Sequence, residues 1–186
     1  MEEICILSGI FEGDAEYFKK YNLIPVINDF QQLELCKKNN INKIILQFNT
    51  GMNRSGIEIK EIKKIKDFID NSGLEVFMVM SHFCCADDKN NLINKKQVDN
   101  FKKILKYFPD KNILKSLSAS DGIINFDLSD FCNSCRPGMI LYGYYKNFKS
   151  VYSFYSKVLC ENNIFYMPLG INHGILSSYK NGFVFI

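Results

Sequence analysis

The sequence predicts an α/β fold: an incomplete TIM-type (β/α) barrel of about six of the eight units, followed by a short β segment. Three observations carry this expectation. Apolar strand-like runs alternate with amphipathic helical runs over the first 145 residues. The run Ile44-Ile45-Leu46-Gln47-Phe48 leads into a Gly-rich stretch, 49–57, that carries Arg54, and barrels of this type place their chemistry at the carboxyl ends of the strands. Beyond Gly143 the helical period gives way to alternation with period two.

The elements follow in order. Residues 4–10 form an apolar strand running out at Gly9, and 13–21 a short helix with Phe18 inward and Glu16 four residues before Lys20. Residues 23–27 are the second strand, where Pro25 suggests a partly exposed end. Residues 29–39 are helical, with Leu33, Leu35 and Cys36 apolar, and 43–48 are the third strand. Residues 59–71 place Ile62, Ile65, Phe68 and Ile69 on one face, the period of an amphipathic helix, and Gly73 caps it. The strand at 74–80 is nearly all apolar, as a parallel strand covered on both faces should be. A helix over 95–108 turns Val98, Phe101, Ile104, Leu105 and Phe108 inward and stops at Pro109. A fifth strand at 113–117, a weak helix at 122–131 and a sixth strand at 135–142, interrupted by Pro137 and Gly138, complete the barrel part. Residues 151–159, 164–169 and 183–186 are strand-like.

Composition narrows the function. The chain has 186 residues, enough for one domain with a real core but short of the roughly 250 of a complete barrel. Hydrophobic content of 47% excludes a disordered chain. A net charge of +3 with Lys spread over helix faces offers no basic stripe, so nucleic acid is not an expected partner. No apolar run approaches the roughly 20 residues that span a bilayer, and the acidic start, Met1-Glu2-Glu3, lacks signal-peptide design. Seven Cys, mostly in apolar runs, suit a reduced, cytoplasmic protein without a membrane partner. Cys132-Asn133-Ser134-Cys135 has redox or zinc spacing, but no second pair completes a ribbon, so ordinary thiols and no metal are expected.

Six segments, in order, carry a family resemblance: 7–13 (Leu-Ser-Gly-Ile-Phe-Glu-Gly), 22–27, 49–57, 81–87 (Ser-His-Phe-Cys-Cys-Ala-Asp), 116–122, and 136–143 (Arg-Pro-Gly-Met-Ile-Leu-Tyr-Gly). Together they resemble the middle of an alanine racemase, an enzyme of fold type III dependent on pyridoxal 5′-phosphate (PLP). The resemblance implies a partial PLP-binding barrel over 1–145 and a remnant of the family's C-terminal β domain over 146–186. It implies interconversion of L- and D-alanine, for cell-wall precursors, with PLP as cofactor, alanine as substrate and a homodimer as the assembly. By position, Arg136 matches the Arg facing the pyridine nitrogen, and Ser120, Gly138 and the backbone of Met139 match the phosphate cup. Arg54 matches the Arg near the phenolic oxygen and the substrate carboxylate. His82 matches the His between the pyridine-facing Arg and a catalytic Tyr.

The departures are as informative. Racemisation needs a base on each face of the substrate carbon, in this family a Lys that also holds PLP covalently and a Tyr from the second subunit. The Lys belongs to a strand that would precede Met1, so the covalent attachment site is absent from these residues. The Tyr-bearing stretch is missing where 156–160 runs almost directly into Glu161-Asn162-Asn163. Gln47 stands in place of a Lys that many members carbamylate, Ala119 of an Asn, Ser116 of a His, and Ile171 of a Tyr. The expectation is a truncated racemase with neither base, inactive alone. The alternatives are one part of a split enzyme completed by another chain, or a non-catalytic PLP- or phosphate-binding module. An open barrel also leaves two strand edges unpaired, an aggregation risk unless covered.

Overall fold

The computed structural model describes residues 3–151, 159–161 and 164–166. The chain divides into two compact units, Met1–Leu141 and Tyr142–Ile186. The first is an open, curled, wholly parallel sheet with helices on one face, an incomplete TIM-type barrel. Its strands are β1 (Ile4–Ile6), β2 (Leu23–Ile27), β3 (Lys43–Asn49), β4 (Ile57–Glu58), β5 (Glu75–Met80) and β6 (Leu114–Ser116). They lie in the order β1-β2-β3-β5-β6, with β4 beside the end of β3. Between them run α1 (Ala15–Lys20), α2 (Phe30–Lys38), α3 (Ile62–Ser72) and α4 (Leu92–Leu105), and α5 (Ser120–Asn125) follows β6. The β strands alternate their faces. Ile27, Ile44, Leu46, Phe48 and Val79 join the core beneath the helices, with Leu33, Ile65, Phe101 and Ile104. Ile24, Val26, Ile45, Met78 and Met80 form a second cluster on the other face.

Three αβ turns use a left-handed residue to reverse the chain: Asn22 after α1, Asn40 after α2 and Gly73 after α3. Asn and Gly are the residues that reach this region at least cost. Caps fix two helix starts, the Asp29 carboxylate accepting from Gln32 N at 2.9 Å and Asn91 Oδ1 accepting from Ile93 N at 3.2 Å.

Several expectations are corrected. Pro25 is buried rather than at an exposed end; it lies opposite Ile6, the last residue of β1. The first strand stops at Ile6, because the chain turns through Leu7 and Ser8, closed by Gly9 N donating to Ile6 O at 3.1 Å. The sixth strand expected over 135–142 is not formed. Pro137 offers no N–H to a ladder, and the segment closes instead into a turn with Leu141 N donating to Gly138 O at 2.9 Å. Its approach does follow the last strand: Asn133 N and Ser134 N both donate to Lys115 O at 3.2 Å. The fourth helix begins at Leu92, three residues ahead of the apolar pattern, because Asn91 caps it.

In the second unit, β7 (Leu159–Glu161) pairs antiparallel with β8 (Ile164–Tyr166). The rest of the period-two runs at 151–159, 164–169 and 183–186 lies outside the described residues.

The close return of β4 onto β3 depends on Gly56, at φ 109°. A Cβ there would stand 2.9 Å from Asn49 N and from the carbonyl carbon of Phe48. We expect Gly56→Ala to destabilise the chain by roughly 2 kcal/mol or more, read as a lowered midpoint in denaturant. An unchanged midpoint would mean that the loop relaxes freely.

Candidate active site

A cavity of about 900 Å³ opens at the carboxyl ends of the strands of the first unit. The sequence-predicted residues Arg54, His82, Ser120, Arg136, Gly138 and Met139 all line it, as do Gln47, Ser55 and Ala119. They come from the end of β3 and the loop after it, from the segments that follow β5 and β6, and from the turn beyond α5, brought together because parallel strands deliver their carboxyl ends and following segments to one end.

Arg136 is the anchor. Its Nη1 donates to Ser116 O at 3.0 Å and also to Ser116 Oγ. Its Nη2 donates to Ser81 O and lies 3.5 Å from His82 Nδ1. Among the described residues no carboxylate pairs with it, and Nε makes no hydrogen bond. Among the described residues the charge is therefore held by neutral dipoles, those of two carbonyls, a hydroxyl and the His82 ring. Burial pushes the guanidinium down to about 10, still protonated at neutral pH. His82 is half-buried, and burial first, then Arg136, then Arg54, hold it below the usual imidazole range. A neutral imidazole accepts at Nδ1 from Arg136, which leaves the proton on Nε2.

Ser120 begins α5, and its Oγ accepts from Gly138 N at 3.0 Å and Ile140 N at 3.2 Å. The hydroxyl keeps its own proton to donate. A Cβ at Gly138 would meet only Ser120 Oγ, at 3.9 Å, so the glycine leaves that oxygen uncovered without being forced by crowding.

Arg54 is exposed at the tip of the loop after β3. Asn49 holds the loop's shape: its Oδ1 accepts from Gly51 N and Asn53 N, both at 3.1 Å, and its Nδ2 donates to Glu58 at 2.8 Å. Gln47 Nε2 donates to Ser55 Oγ at 2.6 Å.

Sequence reasoning missed a buried polar network under these loops. Gln97 Nε2 donates to Thr50 Oγ1 at 3.2 Å; Thr50 Oγ1 and Ser81 Oγ are 2.7 Å apart; Ser81 Oγ donates to Phe48 O at 2.7 Å. Asn100 Nδ2 adds a bond to Thr50 O at 3.0 Å. The only trace of it in the sequence is Gln97 and Asn100 on the inward side of the amphipathic α4, which says nothing until their partners are known. Cys132, pushed up to about 11 by burial, is a protonated thiol at neutral pH. Among the described residues no cluster of three or more His, Cys, Asp or Glu could hold a metal ion, and no helix is long and apolar enough to cross a membrane.

The family model described as "Alanine racemase, N-terminal domain" matches residues 1–146. The chain is 39% identical over 148 residues to the alanine racemase of Rickettsia bellii, covering 75% of this chain and 35% of that protein. It is 37% identical over 153 residues to the alanine racemase of Rickettsia africae, covering 40% of it. The crystal structure of alanine racemase from Bartonella henselae with covalently bound pyridoxal phosphate matches with TM-score 0.65 and 31% identity, over 76% of this chain and 42% of that one. The match thus spans well under half the length of these relatives, within the domain that forms the barrel. By the family model and these relatives together, the chain belongs to the alanine racemase family.

Proposed function

We propose that these residues form the cofactor- and substrate-binding part of an alanine racemase, and that the 186-residue chain taken by itself does not racemise alanine. The carrying observation is the part-buried guanidinium of Arg136, paired with no carboxylate among the described residues, beside a neutral His82 and in one cavity with Arg54 and the Ser120–Gly138 turn.

The donor set fits PLP. Ser120 Oγ–H and the N–H of Met139, which makes no hydrogen bond among the described residues, would hold the phosphate. Arg136 would face the pyridine nitrogen, and Arg54 the phenolic oxygen and the alanine carboxylate. Bound PLP supplies an electron sink for the charge left on the alanine α-carbon once its proton is removed. Arg136 holds its proton too tightly to pass it to a ring nitrogen. By leaving that nitrogen unprotonated, Arg136 would keep the sink weak and favour return of the α-proton over other fates. His82 holds Arg136 in orientation through Nδ1.

The two bases are what the cavity lacks. Among the described residues neither a Lys nor a Tyr lines it. A segment supplying both would complete the site, whether it belongs to the same polypeptide, a second subunit or a separate chain.

Three outcomes follow. With added PLP, the chain alone should exchange the α-proton of L-alanine in D₂O no faster than free PLP, followed by NMR; robust exchange would overturn the inactive reading. PLP titration should show binding that Ser120→Ala weakens roughly tenfold. Binding without exchange supports the reading, and absence of any binding would refute the cofactor assignment. Because the folded chain holds His82 below its unfolded value of about 6.5, the unfolded state takes up the proton first. Stability should therefore fall as pH drops below about 6.5 towards the folded value. Melting curves from neutral to mildly acid pH, compared with His82→Gln, isolate that component, and equal slopes would exclude it.

A further inference from the structure

We propose that Gln97 is a positioning residue of this site, one buried side-chain amide that sets the loop bearing Arg54 against the loop bearing His82. It sits on α4, fully buried, and touches neither cavity nor solvent. Its amide nevertheless spends every hydrogen-bonding position on the two loops. Nε2 donates to Thr50 Oγ1 at 3.2 Å and to His82 O at 2.8 Å. Oε1 accepts from Cys84 N at 3.1 Å and from Cys84 Sγ at 3.4 Å. A carboxamide has two donors and two acceptor lone pairs, so none is left over.

Each bond acts on an identified part of the site. The Thr50 bond begins a relay through Ser81 Oγ to Phe48 O, which pins the start of the loop that carries Arg54. The His82 and Cys84 bonds clamp the backbone on both sides of Phe83, and so fix where the His82 ring meets Arg136. Ser81, the relay's middle member, also gives its own carbonyl to Arg136. The spacing between the two arginines is therefore tied to one residue of a helix behind the sheet. An apolar replacement of equal size would take away the partner of the part-buried His82 carbonyl and Cys84 N–H, each costly to leave unpaired, and leave the Thr50 hydroxyl with Ser81 alone. Had α4 needed only to pack, Leu or Met would have served at this position.

The assignment rests on reading the cavity as the racemase site, but its test needs neither cofactor nor substrate. The chain has only two His, so the His82 ring signal is readily assigned by NMR. In Gln97→Met we expect the His82 titration midpoint to rise by about half a unit or more towards that of a free imidazole, as the ring gains solvent and loses its fixed place beside Arg136. Ile104→Val, equally buried on α4 but outside the network, should lower the melting temperature and leave the midpoint unchanged. A midpoint unmoved in Gln97→Met, or moved as much by Ile104→Val, would overturn the proposal. Should Gln97→Met fail to fold, the unmodified chain still decides it. The side-chain amide protons of Gln97 and the N–H of Cys84 should then exchange with D₂O slowly and together, and fast exchange of either would overturn it. Absent PLP binding with a shifted midpoint would refute the cofactor reading while leaving the positioning role intact.

Discussion

A part-buried guanidinium with no carboxylate partner among the described residues is the constraint on which the site depends. Removing a charge from water is expensive unless dipoles replace the lost hydration. Here the replacement comes from Ser116 and Ser81, residues at the carboxyl ends of adjacent strands. Arg136 keeps this set of partners only while β5 and β6 remain in register, so fold and the placement of the charge are not separable. A carboxylate in the same place would hold the side chain more strongly but would cancel its field. Neutral partners leave the positive charge available to the cavity, and burial, helped by Arg136 and Arg54, keeps His82 neutral beside it.

The second requirement is that the loops after parallel strands, which lack the mutual hydrogen bonds of a hairpin, be held in place from below. Asn49 organises one loop from within, through its backbone N–H contacts. Thr50, Ser81, Gln97 and Asn100 fasten it to its neighbour from beneath. Polar groups in a core are tolerated when each is satisfied, and in this network hydroxyls and amides pass donors in one direction to the Phe48 carbonyl. The site rests on rigid elements rather than on the loops' own preferences.

Much of this was legible in the sequence, for identifiable reasons. The strands at 23–27, 43–48 and 74–80 were found almost to the residue, because a parallel strand buried on both faces reads as one apolar run. The six candidate site residues come from ordered motif positions rather than from periodicity, and all six line one cavity. What failed did so through local chemistry. The run at 135–142 is apolar enough for a strand, but Pro137 removes a donor and Ser120 captures the N–H groups of Gly138 and Ile140 from the side. Asn22 and Asn40 looked like ordinary polar residues, since a left-handed conformation leaves no periodic trace. Gln97 was invisible because a polar residue on an apolar helix face carries meaning only once its partners, 47 positions away in the case of Thr50, are known.

The strand order has one more consequence. Apart from the short β4, each strand of the first unit pairs with the one before it in the chain. Its contacts are therefore nearly one-dimensional, each βα unit resting on its predecessor, as in a solenoid. Such an arrangement can assemble from the amino end as the polypeptide emerges from the ribosome, with no distant segment needed to nucleate it. A sheet of this kind can gain or lose units at its β1 margin without scrambling the registers within, whereas Arg136 hangs on Ser116 of β6, the opposite edge strand, and is exposed to whatever happens there.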